Sequence, residues 1–179
     1  MDMVIETLHT VVEKLDEIGI PYMLSGSVAM SFYTVSRSTR DIDFVIYLNL
    51  TQIDQMEKIF AGDYFHKNSV IDEVKRNGMF NVILNNNGFK IDFILAKKDA
   101  YSKQAFERRK LVNDFEKPVY VVSLEDLIIA KIKWIQEIFS ERQYTDLQSL
   151  IMGNELDMNY LNFWINNMNL NTFKLFEND

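Results

Sequence analysis

The chain has 179 residues, 47% of them apolar and 25% charged, enough for one domain with a real core or a domain carrying a helical extension. Its 26 acidic against 19 basic side chains leave a net charge of −7, the wrong sign for gripping a nucleic-acid backbone over a wide surface, so any such contact has to be local. Cysteine is absent, which excludes disulfides and thiolate metal sites, and no apolar run approaches the roughly 18–20 residues of a bilayer span.

Val4, Leu8, Val11, Val12, Leu15 and Ile18 recur at helical spacing, which predicts an amphipathic first helix stopped by Gly19 and Pro21. Met1-Asp2-Met3 leads straight into that pattern without the basic-then-apolar layout of a signal peptide, so a cytoplasmic location with no membrane contact is expected. Tyr22-Met23-Leu24 reads as a short strand that turns at Ser25-Gly26-Ser27 into a helix from about Val28 to Tyr33. A Gly-Ser at such a turn offers backbone N–H groups and a hydroxyl to an anion, which suits a nucleotide phosphate. The same pair also serves ordinary turns.

Asp41-Ile42-Asp43 opens a strand running to about Leu48. Side chains two apart on a strand share a face, so two carboxylates aim at one spot. They repel, and burial raises the cost unless a cation sits between them. A divalent metal with a preference for oxygen ligands is the obvious candidate, the alternative being a solvated strand end. Arg37 and Arg40 flank the acids and either neutralise them or hold phosphates.

Thr51 is the expected N-cap of a third helix carrying Ile53, Met56, Ile59 and Phe60 and stopping near Gly62. Residues 64–95 read as a strand meander with arms at Val70–Val74, Met79–Leu84 and Phe89–Leu95, the last two joined by the hairpin turn Asn85-Asn86-Asn87-Gly88. In the last arm Asp92 alternates with Phe93 and is the one acid on an apolar strand. Further short strands are expected within residues 105–122, around Phe106 and at Val119–Val122.

Ser123-Leu124-Glu125-Asp126 then opens a helix with a capping-box pattern. Leu124, Leu127, Ile128, Ile135 and Ile138 form one stripe, with Lys131 in its middle and Lys133 on the opposite side. An ammonium among aliphatics needs a partner, either a structural ion pair or a phosphate at the acidic site. Another helix begins at Arg142-Gln143-Tyr144-Thr145-Asp146-Leu147. The final apolar residues, Leu161, Trp164, Ile165 and Met168, then Leu170, Phe173, Leu175 and Phe176, suggest further helices that complete a core or an oligomer contact. His9 and His66 lack the spacing of metal ligands, and Arg108-Arg109-Lys110 is either a solvated face or a contact for a polyanionic acceptor.

Gly26-Ser27, the 14-residue step to Asp41, Asp41-x-Asp43 and the later Asp92 together resemble the minimal nucleotidyltransferase fold. More narrowly, Lys131 on one late helix and Arg142 with Asp146 on the next resemble the bacterial AbiEii-type nucleotidyltransferases of toxin–antitoxin and phage-defence systems. A departure is Thr145, where an arginine often stands. The resemblance implies an α+β fold, a mixed β-sheet flanked by helices, with a core over residues 1–122 and a C-terminal helical region over 123–179. It also implies Asp41, Asp43 and Asp92 as metal ligands for Mg²⁺ or Mn²⁺, Gly26 and Ser27 as phosphate contacts, and Lys131 as a catalytic cation. Arg37 and Arg40 are added as nucleotide contacts.

The expected reaction moves an NMP from an NTP to an acceptor hydroxyl and releases pyrophosphate, with two metals, the second shared with Asp92. The acceptor is open among a tRNA end, a protein and a small molecule, the last suiting the negative charge. The alternative is a non-catalytic nucleotide-sensing or protein-binding module with an antitoxin-like partner.

Overall fold

Helix α1 (Met3–Glu17) buries Leu8, Val11, Val12 and Leu15. It closes where Gly19 takes a positive φ of 64° and the Ile20 N–H donates back to the Leu15 carbonyl at 2.9 Å, the conformation that favours glycine after a helix. The computed structural model describes residues 3–35, 39–113 and 117–176. Strand β1 (Tyr22–Ser25) leads directly into the five-residue helix α2 (Gly26–Met30) and then β2 (Asp41–Ile46).

After β2 the cap differs from the expected Thr51. Asn49 accepts from the Thr51 N–H at 3.0 Å and forms a capping box with Gln52. It opens a single 3₁₀ turn that runs into α3 (Ile53–Ile59). The expected strand at 70–74 is instead part of helix α4 (Lys67–Arg76). His66 accepts from the Ser69 N–H at its start, and Asn77 adopts the left-handed conformation at its end. Val70 is buried, with Ile71 and Val74 packed against the core. Their spacing serves a helix face as well as a strand, and the caps decide between them.

The hairpin of β3 (Met79–Ile83) and β4 (Lys90–Leu95) forms as expected. Phe106 lies in helix α5 (Ala100–Glu107), not in a strand. The Asp99 side chain starts that helix by accepting from the Ser102 N–H at 2.9 Å. Strands β5 (Lys110–Val112) and β6 (Val119–Val121) precede α6 (Leu124–Glu137), which Ser123 caps through the Asp126 N–H. Ile138 leaves the predicted stripe: the helix ends before it, its backbone is extended, and it is 69% exposed. Helices α7 (Glu141–Met152) and α8 (Met158–Asn167) follow. The apolar residues after α8 form turns rather than a helix, with Phe173 and Lys174 both at positive φ, and Phe173 and Phe176 still pack on the core.

The six described strands make one sheet in the order β3-β4-β2-β1-β6-β5. β2 pairs parallel to β4 and β1 parallel to β6, while the other neighbours are antiparallel. This is the expected mixed, helix-flanked α+β arrangement. Alternation along β2 and β4 sends Phe44 and Phe93 to one face, where their rings lie 6.0 Å apart. Phe60 after α3 and Phe80 of β3 meet Phe93 there at 5.8 and 5.2 Å. That apolar face pins the register, since a one-residue slip would exchange buried rings for carboxylates.

Candidate active site

The register that buries the phenylalanines lifts the acids onto the opposite face. Asp43 lies directly across from Asp92 in the parallel β2–β4 pair, and Asp41 lies across from Lys90. Ser25 of β1 sits across from Asp43, and Asn81 of β3 across from Asp92. A single row therefore crosses four strands as Asn81, Asp92, Asp43 and Ser25, with Lys90 and Asp41 in the row beside it. Two acids of β2 and a third from β4, distant in the chain, share one face.

Their surroundings differ. Asp41 is exposed and Asp43 half-buried, whereas Asp92 is only 6% exposed. The Asp92 Oδ2 is 2.8 Å from the Lys90 ammonium, which also stands 3.8 Å from the Asp41 Oδ1. The other Asp92 oxygen, Oδ1, is buried without a hydrogen-bond partner, a costly state for a carboxylate. Burial, and after it the Asp92 and Asp41 charges, push the Asp43 carboxyl up to about 6, against the weaker opposing pull of Lys90 and Lys131. Hydrogen bonding to Asp92 holds the Lys90 ammonium above its ordinary value.

The donor set fits a hard divalent cation: all oxygen, with one buried oxygen unsatisfied and one carboxyl destabilised as an anion by its neighbours. Among the described residues, no group of three or more acids or histidines is already drawn together as a metal cage. Asp43 and Asp92 are the pair in direct register, with Asp41 at the rim.

Gly26 packs against this row. It takes φ +65°, and a methyl group there would overlap the Asp43 carboxylate, so glycine both makes the turn and admits the acid beside the backbone. Ser27 follows it, half-buried.

No family model matches the sequence, and no curated protein matches it. Solved structures do. The antibiotic-resistance factor ANT(2'')-Ia superposes with a TM-score of 0.61 at 15% identity, covering 94% of this chain and 95% of that one; the same factor is also known in complex with adenylyl-2''-tobramycin. The lincosamide antibiotic adenylyltransferase LnuA, lincomycin-bound, gives 0.56 at 11% identity over 83% of this chain and 97% of its own. An antigenic nucleotidyltransferase-like protein from Paracoccidioides brasiliensis gives 0.52 at 18% over 92% and 86%. The fold is a nucleotidyltransferase fold.

Within this nucleotidyltransferase fold the remaining predicted residues fall in different places. Lys131 of α6 is buried, with its ammonium 2.9 Å from the Asp146 Oδ2 of α7 and 2.9 Å from the Gln143 Oε1. It reaches Asp43 by its field, and its direct contacts are with α7. Arg142 is exposed. Arg40 is exposed just before β2, where its carbonyl accepts from the Lys90 N–H at 3.1 Å. Arg37 lies outside the described residues.

The two arginines of the basic run are engaged by the protein itself, while Lys110 is exposed: Arg108 pairs with Glu125 and Asp126, and Arg109 stacks over the Phe106 and Tyr120 rings at 4.3 and 4.6 Å. His66 is a helix cap and His9 is buried on α1. Lys90 is the residue that sequence reasoning missed. The signal was there, since Lys90 stands two before Asp92 and shares its face.

Proposed function

We propose that this protein transfers a nucleoside monophosphate from a nucleoside triphosphate to a hydroxyl of a small, cationic acceptor. The observation that supports this most is the face carrying Asp41, Asp43 and Asp92, with the Asp92 Oδ1 buried and unpartnered. Asp43 and Asp92 would hold Mg²⁺ or Mn²⁺, with Asp41 at the rim. When bound, such an ion neutralises phosphate charge and lowers the pKa of an acceptor hydroxyl.

The chain's own part is placement. The Gly26-Ser27 turn seats the triphosphate against the acid row, Lys90 supplies positive charge beside it, and Lys131 adds to that charge through its field. The acceptor oxygen forms its bond to the α-phosphorus as the bond to pyrophosphate breaks, and the hydroxyl proton passes to solvent. The net charge of −7 attracts a cationic acceptor, and the fold neighbours include proteins described with an adenylylated aminoglycoside and with lincomycin. The Lys131–Asp146 pair, on consecutive helices, supports the narrower likeness to AbiEii-type proteins.

Incubation with each α-labelled NTP, Mg²⁺ or Mn²⁺, and a panel of aminoglycosides, lincosamides and cell extract should label a small-molecule fraction and release pyrophosphate. Asp43→Asn should lower that rate by roughly a thousandfold or more, the equivalent of several kcal/mol of transition-state stabilisation, while leaving the chain folded. Full activity in Asp43→Asn rules the reading out.

A further inference from the structure

Resting on the reading above, we infer that Lys90 takes the place of a second metal ion, so that this site works with one divalent cation and one resident ammonium. The two oxygens of Asp92 have different fates. Oδ2 is held by the Lys90 Nζ at 2.8 Å, and Oδ1 is buried with no partner. Lys90 also stands 3.8 Å from the Asp41 Oδ1, so its ammonium bridges Asp92 to the acid across from Lys90 in register. The Asp92 oxygen that the ammonium leaves for an ion is Oδ1, and Asp43 is the acid across from Asp92 in register.

Charge balance points the same way. Three ionised carboxylates carry three negative charges, and one ammonium with one divalent ion cancels them. Two divalent ions beside Lys90 would leave the face net positive before any phosphate arrived, with two cations competing for the Asp92 Oδ2 and Asp41 Oδ1. The Lys90 side chain is 40% exposed, so a donor not used on Asp92 can turn to a phosphate oxygen of the bound triphosphate. The fixed ammonium thereby does for Asp41 and Asp92 what a second ion would otherwise do.

The count of bound ions tests this without reference to turnover. The purified chain is dialysed against Mn²⁺ with the α,β-methylene analogue of each nucleoside triphosphate, and manganese, phosphorus and protein are measured in the retentate. One Mn²⁺ per bound nucleotide is expected for the unmodified chain and for Lys90→Arg, and two for Lys90→Gln and Lys90→Met. Circular dichroism confirms that each variant is folded.

Two ions in the unmodified chain overturn the inference and leave the metal-dependent reading standing. So does a single ion in all four proteins, which would make the second position absent for reasons other than Lys90. No retained Mn²⁺ in any of them removes the metal reading itself, and the inference with it.

Discussion

At the scale of single residues, Asp43 is an acid made uncomfortable by its place in the sheet. Its carboxyl titrates at about 6 in the folded chain against 3.8 for an ordinary aspartate, because burial and two like charges outweigh the nearby ammonium groups. The folded state therefore binds the proton more tightly than the unfolded state. Between these two values stability contributed by Asp43 falls as pH rises.

The corresponding prediction concerns metal-free protein unfolded in urea at pH 4 and pH 7.5. Relative to Asp43→Asn, the unmodified chain should lose about 2 kcal/mol across that interval, as expected for a shift of this size at 1.36 kcal/mol per pH unit. A constant difference between the two proteins would contradict the burial of charge at this position. Metal binding should reverse the trend, because a ligating carboxylate must give up its proton.

At the scale of elements, α6 and α7 are joined by the Lys131–Asp146 pair, whose side chains are 7% and 8% exposed. Desolvating both charges offsets much of their attraction, so the pair is worth little against an apolar replacement, whereas a single deletion takes the ion-pair partner from a buried charge. Lys131→Met should thus destabilise the protein by about 3–5 kcal/mol in chemical denaturation. Lys131→Met combined with Asp146→Leu should recover most of that loss. Equal losses in the single and double variants would mean that Lys131 contributes through something other than its partner.

At the scale of the whole molecule, a polar clasp ties the C-terminal helices α6 and α8 to the end of α5. The Asp126 Oδ2 accepts from the Ser123 hydroxyl at 2.6 Å and from the Arg108 Nε at 3.2 Å. Its Oδ1 accepts from the Tyr160 hydroxyl of α8 at 2.7 Å, and the Arg108 guanidinium lies 3.9 Å over the Tyr160 ring. The end of α5, the start of α6 and the start of α8 meet on one carboxylate that is 1% exposed. Asp126→Asn weakens charged hydrogen bonds, at a cost of about 2–3 kcal/mol. Hydrogen exchange should show α8 losing protection first, with β2 and β4 unchanged. Uniform loss over the sheet would contradict a local clasp. Among the described residues, no helix is long and apolar enough to cross a membrane.

Local chemistry decided what the sequence could establish alone: the amphipathic α1 with its Gly19 stop, the hairpin at 85–88, the Ser123 cap, and the two-residue spacing that aims Asp41 and Asp43 together. Each depends on neighbours in the chain, and so does the ambiguity of Val70–Val74, which suits strand and helix alike until caps and packing choose.

Only tertiary structure could decide how Asp92 relates to the first two acids. Residues 44–91 separate them, and a parallel pairing of β2 with β4 is a contact the chain makes through the core, where Phe44 and Phe93 must share a face. The same pairing brought Lys90 across from Asp41. Burial of those rings on one side of the sheet is the physical reason that three acids and an ammonium gather on the other.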